Sequence, residues 1–129
     1  MPPAIAKSVL IVDDNAFIRH ALCELFKQET DFEVCGEAEN GKEGIERALE
    51  MRPDLIVLDL SMPVMNGLDA ARVLKRLMPT VPLIMYSALG DRLAQNQARL
   101  IGISEVVSKS EHASVLILKA RGLLNSSAA

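Results

Sequence analysis

Five residues have the clearest capacity for chemistry. They are Asp13 and Asp14 in "LIVDDN", Asp59 in "LIVLDLSMPVMNGLD", Ser87 in "PLIMYSA" and Lys109 in "VSKS". Each lies at the end of a short apolar run. A buried run that ends in a carboxylate marks either a solvated loop or a chemical site at a sheet edge. Two ionised carboxylates about 4 Å apart repel by roughly 4 kcal/mol at an effective dielectric near 20. Three acids at one edge therefore need a proton or a cation. Hard oxygen ligands suit magnesium, with manganese as a substitute, and no His or Cys stands close in sequence to suggest zinc. Magnesium commonly binds one or two carboxylates together with phosphate oxygens, and Ser87 and Lys109 suit the remaining phosphate oxygens. A carboxylate can also be the nucleophile that accepts a phosphoryl group, and Asp59 is the natural acceptor.

Each residue has a plainer role when taken singly. Asp13, Asp14 and Asn15 suit the cap of a following helix. Asp59 suits a loop carboxylate, Ser87 a turn hydroxyl and Lys109 a solvated cation. His20 and His112 read as helix-surface residues. The site reading gains force only if the elements bring all five together.

Those elements alternate along the chain. Strand patterns occupy 8–13, 32–38, 54–59, 81–87 and 103–109. The runs Val9 to Val12 and Leu55 to Leu58 do not alternate, as expected of parallel strands covered on both faces. Helical stripes lie between them: Phe17, Ile18, Ala21, Leu22, Leu25 and Phe26 in the first, then Ile45, Ala48 and Leu49, then Leu68, Ala71, Leu74 and Met78. The fourth stripe, over 91–101, is weak, with Leu93, Ala94, Ala98 and Ile101 set among Gln and Asn. The fifth helix spans about 111–124, with Ala113, Leu116, Ile117, Ala120 and Leu124 as its core stripe and Val115 and Leu118 at its flank. Asn40-Gly41 and Asn66-Gly67 mark turns into the second and third helices.

Five βα units imply an α/β, doubly wound parallel sheet, and five strands at this length suit the flavodoxin-like order 2-1-3-4-5. In such sheets, ligands bind outside the carboxyl ends of the strands where the order reverses. With that order, Asp13-Asp14, Asp59, Ser87 and Lys109 end four adjacent strands, with Asp59 near the centre. Neither GxGxxG nor GxxxxGK[ST] occurs, so a dinucleotide or P-loop cradle is not expected.

Bulk properties agree. The 129 residues are half hydrophobic with a formal net charge of -3, which fits one ordinary globular domain. Scattered Lys and Arg give no reason to expect nucleic-acid binding by this segment. The amino terminus lacks signal-peptide features, and no apolar stretch is long enough to span a membrane. Cys23 and Cys35 have no metal spacing and read as reduced, packed thiols, in keeping with the cytoplasm.

From Lys7 to about Leu124 the chain resembles bacterial two-component response-regulator receiver domains. The resemblance rests on "LIVDDN", "GEAENGKEGIE", "PDLIVLDLSMPVMNGLDAARVL", "PLIMYSA" and "VSKS". It implies an extension over 1–7, a receiver domain over 8–124 and a tail over 125–129. It also implies Asp59 as phosphoacceptor, with magnesium held by Asp13, Asp14, Asp59 and the backbone carbonyl of Ser61. Ser87 would be the switch hydroxyl and Lys109 the phosphate contact. The implied partner is a histidine kinase or phosphotransfer protein. The implied activity is that of a signalling switch with slow self-catalysed phosphotransfer and autodephosphorylation, not of an enzyme that turns over a separate metabolite.

Two positions depart from the family pattern. Val106 stands where a switching Tyr or Phe is usual, and Ser110 stands where a cis-proline usually follows the lysine. Tyr86 is not expected to replace the missing aromatic, because adjacent strand residues face opposite ways and Ser87 must face the site. The expected movable part is "ALGDR" with the fourth helix, altering a homodimer or effector surface made by helix 4, strand 5 and helix 5. Three other readings exist. A haloacid-dehalogenase-type phosphatase needs a second Asp where Ser61 stands. A pseudo-receiver would not need the full set of five residues. A receiver taken from a DNA-binding regulator would share every feature above.

Overall fold

The computed structural model describes residues 6–88 and 92–126. Five strands alternate with five helices: β1 (Lys7–Val12), α1 (Ala16–Lys27), β2 (Phe32–Ala38), α2 (Gly41–Met51), β3 (Leu55–Leu58), α3 (Gly67–Leu77), β4 (Leu83–Ser87), α4 (Arg92–Ile101), β5 (Glu105–Ser108) and α5 (Ser114–Ser126). All pairings are parallel, and the sheet order is β2-β1-β3-β4-β5. This is the flavodoxin-like order expected from the pattern of runs. Among the described residues, no helix is long and apolar enough to cross a membrane.

Alternation along the strands sends side chains into two cores. Val9, Ile11, Val57, Ile84, Tyr86 and Val107 pack with Leu22 and Phe26 of α1 and Leu116 and Ile117 of α5. Leu10, Val12, Ile56, Leu58, Leu83 and Met85 pack with Ala48 of α2, Leu74 of α3 and Ala98 of α4. Every residue of β3 is buried because helices cover both its faces, which is why its sequence is an unbroken apolar run.

Asparagine starts three of the helices. Asn15, Asn40 and Asn66 accept the amides of Ile18, Glu43 and Asp69 at 3.1, 2.9 and 2.9 Å, each satisfying a donor the helix leaves unpaired. In α1 the buried stripe differs from the expected one. It is Arg19, Leu22, Cys23 and Phe26, while Phe17 is 83% exposed and Ala21 is also exposed. The Asn15 cap and a bond from Arg19 Nη1 to the Asp13 carbonyl, at 2.8 Å, set the helix rotation and turn Arg19 inward. Leu49 of α2 also lies outside its buried stripe, at 44% exposure.

Helix α5 starts at Ser114, later than the pattern suggested, because His112 Nδ1 accepts the Ser114 amide ahead of it. Val115 packs on the core and Leu118 is exposed. Arg121 clasps the turn between α1 and β2, with Nε donating to Asp31 Oδ2 at 2.7 Å and Nη2 to Asp31 Oδ1 at 2.9 Å and Glu29 Oε1 at 3.1 Å. Of the loop expected to move, residues 89–91 lie outside the described residues.

Gly67 carries a steric constraint. Its amide donates to the Leu60 carbonyl at 2.8 Å, and a Cβ placed on it would collide with the Asp59 carbonyl oxygen and crowd the Leu60 Cα. Only a residue without a side chain lets α3 begin against the end of β3. Gly67→Ala should therefore cost about 1–3 kcal/mol, as expected for overpacking against a fixed backbone, read as a lowered midpoint in urea unfolding. An unchanged midpoint would show that the α3 start can shift freely.

Candidate functional site

The parallel ladder runs one residue past three strand ends and so fixes the functional side chains. The Asp13 amide donates to the Ala38 carbonyl of β2 at 3.0 Å, the Asp59 amide to the Val12 carbonyl at 2.9 Å, and the Lys109 amide to the Ser87 carbonyl at 2.7 Å. Asp13, Asp59 and Lys109 thereby continue the side-chain parity of Ile11, Val57 and Val107. Asp13, Asp59 and Ser87 are buried, at 1%, 6% and 4% exposure, whereas Asp14 faces solvent.

One ammonium joins two of the acids. Lys109 Nζ donates to Asp13 Oδ2 at 2.9 Å and lies 3.2 Å from Asp59 Oδ1. Asp13 Oδ1 accepts the Asn15 amide and Asp59 Oδ1 the Leu60 amide, both at 2.9 Å. Asp13, Asp14 and Asp59 each offer an oxygen within 4.8 Å of the others. Asn15 takes the α1 cap by itself, which leaves the two acids beside it for this cluster. Beside them lies an open cavity of about 450 Å³, lined by Asp14, Leu60, Ser61, Met62 and Asn66.

Charge is poorly tolerated at this edge without help. Burial first, and then the nearby Asp13 charge, push the Asp59 carboxyl up to about 6 from 3.8, while Lys109 and the Leu60 amide pull it back. Burial works against the Lys109 charge too, but its bond to Asp13 and the field of Asp59 outweigh this and hold its pKa above the ordinary value. Three oxygen donors in mutual reach, one of them solvent-facing, fit a hard divalent cation of the magnesium type.

The surrounding residues explain how the site is held. Arg19, which the sequence reading did not single out, is buried and bonds the Asp13 carbonyl through Nη1 and Glu37 through Nε at 3.0 Å. The available signal was a charged residue inside the apolar stripe of α1. The loop after Asp59 contains a γ-turn in which the Met65 amide donates to the Pro63 carbonyl at 2.7 Å, with Val64 at φ 70 between them. That conformation is strained for a β-branched residue. His20 is exposed, with Nε2 3.6 Å from Glu37 Oε1.

Both departures from the usual pattern have structural consequences. Val106 is half-buried against the α4-side core and lines a cleft of about 140 Å³ with Gln95, Arg99, Ile103, Ser104 and Glu105. Ser110 is held by Ser108, whose Oγ lies 2.7 Å from Ser110 Oγ and accepts its amide at 3.2 Å. No cis peptide occurs among the described residues. Tyr86 faces the α5-side core, away from Val106, and so does not replace the missing aromatic. It nevertheless reaches the site, because Lys109 Nζ lies over its ring at 5.9 Å from the centroid.

Comparison with known proteins accounts for this arrangement. The family model for the response regulator receiver domain matches residues 9–121. The chemotaxis protein CheY of Thermotoga maritima is 37% identical over 105 residues, covering 81% of this chain and 87% of that protein. A protein-glutamate methylesterase/protein-glutamine glutaminase of Pyrococcus abyssi is 52% identical over 87 residues, 67% of this chain and 23% of that protein. The chain thus spans about a quarter or less of such relatives' length. The crystal structure of the response regulator domain of Thermotoga maritima CheB superposes with a TM-score of 0.88 at 31% identity, covering 94% of this chain and 98% of that one. The chain belongs to the response regulator receiver domain family. It is a receiver domain of two-component signalling.

The raised Asp59 pKa has a consequence for stability. Between pH about 4 and about 6 the folded protein keeps a proton that the unfolded chain has released, so stability falls as pH rises through that window and then levels off. Relative to Asp59→Asn in metal-free buffer, wild type should lose up to about 3 kcal/mol across it, at about 1.4 kcal/mol per pKa unit. Urea unfolding of both proteins at a series of pH values checks this, and a pH-independent difference would contradict the assigned cause.

Proposed function

We propose that Asp59 accepts the phosphoryl group, that Asp13, Asp14, Asp59 and the Ser61 carbonyl hold magnesium, and that Ser87 and Lys109 receive the phosphate. The carrying observation is the Lys109 ammonium set between Asp13 and the buried Asp59, beside an open acid-lined cavity. A carboxylate oxygen of Asp59 forms the new bond to phosphorus as the bond to the donor's imidazole nitrogen or acyl oxygen breaks, the electron pair leaving with the donor. Bound magnesium supplies charge neutralisation to the transferring phosphoryl oxygens, and manganese has the same oxygen preference. Lys109 supplies a positive donor to those oxygens, and Ser87, at the adjacent strand end, supplies a hydroxyl.

The phosphodonor partner in this reading is a histidine kinase or phosphotransfer protein, and the setting is the cytoplasm, consistent with the free thiols of Cys23 and Cys35. Output runs through the face of α4, β5 and α5, where Gln95 and Arg99 of α4 line a cleft with Glu105 and Val106 of β5. That face meets an effector or a second copy once phosphate repositions α4. A dehalogenase-type phosphatase is not supported, since Ser61 has no carboxylate to act as general acid.

Two experiments test the core of this reading. Incubation with a small acyl phosphate and magnesium should add one base-labile phosphate by intact mass, and Asp59→Asn should add none. Label on Asp59→Asn equal to wild type would place the acceptor elsewhere. Separately, Asp14→Ala should weaken magnesium binding at least tenfold in calorimetric titration, because it removes the solvent-facing donor of the cluster. Equal affinities would remove Asp14 from the metal site.

A further inference from the structure

Lys109 must hold its ammonium at one place on a flexible four-carbon stem, and an ammonium has no fork geometry to define its orientation. Two of its neighbours, Asp13 and Asp59, are the groups whose charge changes when a cation or a phosphoryl group arrives. A third neighbour does not change. Tyr86 is 7% exposed in β4, opposite Val107 in the register, and shares the α5-side core with Val107, Leu116 and Ile117. Lys109 follows Val107 by two residues and so returns to the same face of the sheet. Its Nζ lies over the Tyr86 ring, 5.9 Å from the centroid, while reaching Asp13 and Asp59 at 2.9 and 3.2 Å. The ring is a neutral phenol whose proton loss burial makes harder, the Lys109 charge opposing that shift and the Asp13 charge adding to it. Its electron-rich face is therefore a fixed surface that attracts the cation whatever the state of the acids.

We propose that Tyr86 is a positioning residue for Lys109. Its ring face holds the ammonium at the carboxylate edge so that the same lysine stands ready for phosphate oxygens when they replace Asp13 as its partner. The proposal rests on the phosphoacceptor reading above and adds to it a residue peculiar to the α5 side of this site. The ring, and not the hydroxyl, is the working part.

The test compares wild type, Tyr86→Phe and Tyr86→Leu, each first confirmed as folded by circular dichroism. Phosphorylation by a small acyl phosphate in saturating magnesium is followed by intact mass. Tyr86→Leu should slow the reaction by about three- to tenfold, the range expected for a partly desolvated cation–π contact, while Tyr86→Phe should stay within about twofold of wild type. A second readout needs no phosphate. The Lys109 ε-methylene protons should show an upfield ring-current shift in wild type and Tyr86→Phe that is lost in Tyr86→Leu. Equal rates in all three proteins, a Phe variant as slow as the Leu variant, or the absence of any ring-current shift would overturn the proposal. Failure of wild type itself to take phosphate would instead overturn the acceptor assignment, and the ring-current comparison would still decide the contact.

Discussion

The arrangement depends on burying one carboxylate beside another. Asp59 and Asp13 are almost fully enclosed at the end of a hydrophobic sheet, where water cannot screen them well. A single ammonium and a few backbone amides offset part of that cost. The remainder appears as the elevated proton affinity of Asp59. At neutral pH such a site holds charge that burial disfavours, and anything that brings positive charge or removes negative charge relieves it. The need for Gly67 against the Asp59 carbonyl and the buried Arg19 behind Asp13 both belong to holding the acids at that edge.

Most of this was legible in the sequence because it is written in strand ends. Unbroken runs such as Leu55–Leu58 announce a parallel sheet, and the polar residue after each run announces the edge. Strand order then decides which edge residues meet, so Asp13, Asp59, Ser87 and Lys109 can be assigned to one edge from the sequence alone. What escaped were contacts that cross between elements. Arg19 looks like an interruption of an amphipathic stripe until its bond to the Asp13 carbonyl is seen. Tyr86 looks turned away from the site by simple alternation. Tyr86 does face the α5 side, but so do Asp13, Asp59 and Lys109, whose parity continues that of Ile11, Val57 and Val107. The period-2 rule assigned Tyr86 correctly, but assigning the site wholly to the face of Ser87 did not.

The same logic explains the two unusual positions. Without proline, the turn after Lys109 relies on paired serine hydroxyls, a polar substitute for a covalently restricted backbone. Without an aromatic ring at Val106, the space between α4 and β5 is a small cleft rather than a filled slot. The α4 side of the sheet therefore has room in it, while on the α5 side the Tyr86 ring centroid lies 5.9 Å from the Lys109 ammonium.

The Arg121 clasp gives the molecule a mechanical asymmetry. The far end of α5 is bolted to the turn between α1 and β2 by a two-pronged guanidinium grip, whereas its near end follows the serine turn beside Lys109. A tether leaving the last turn of α5 would depart just beyond this grip, at the opposite end of the sheet from the chemistry. The departure point of any segment joined to α5 is thus set by the turn between α1 and β2 and not by the carboxylate edge.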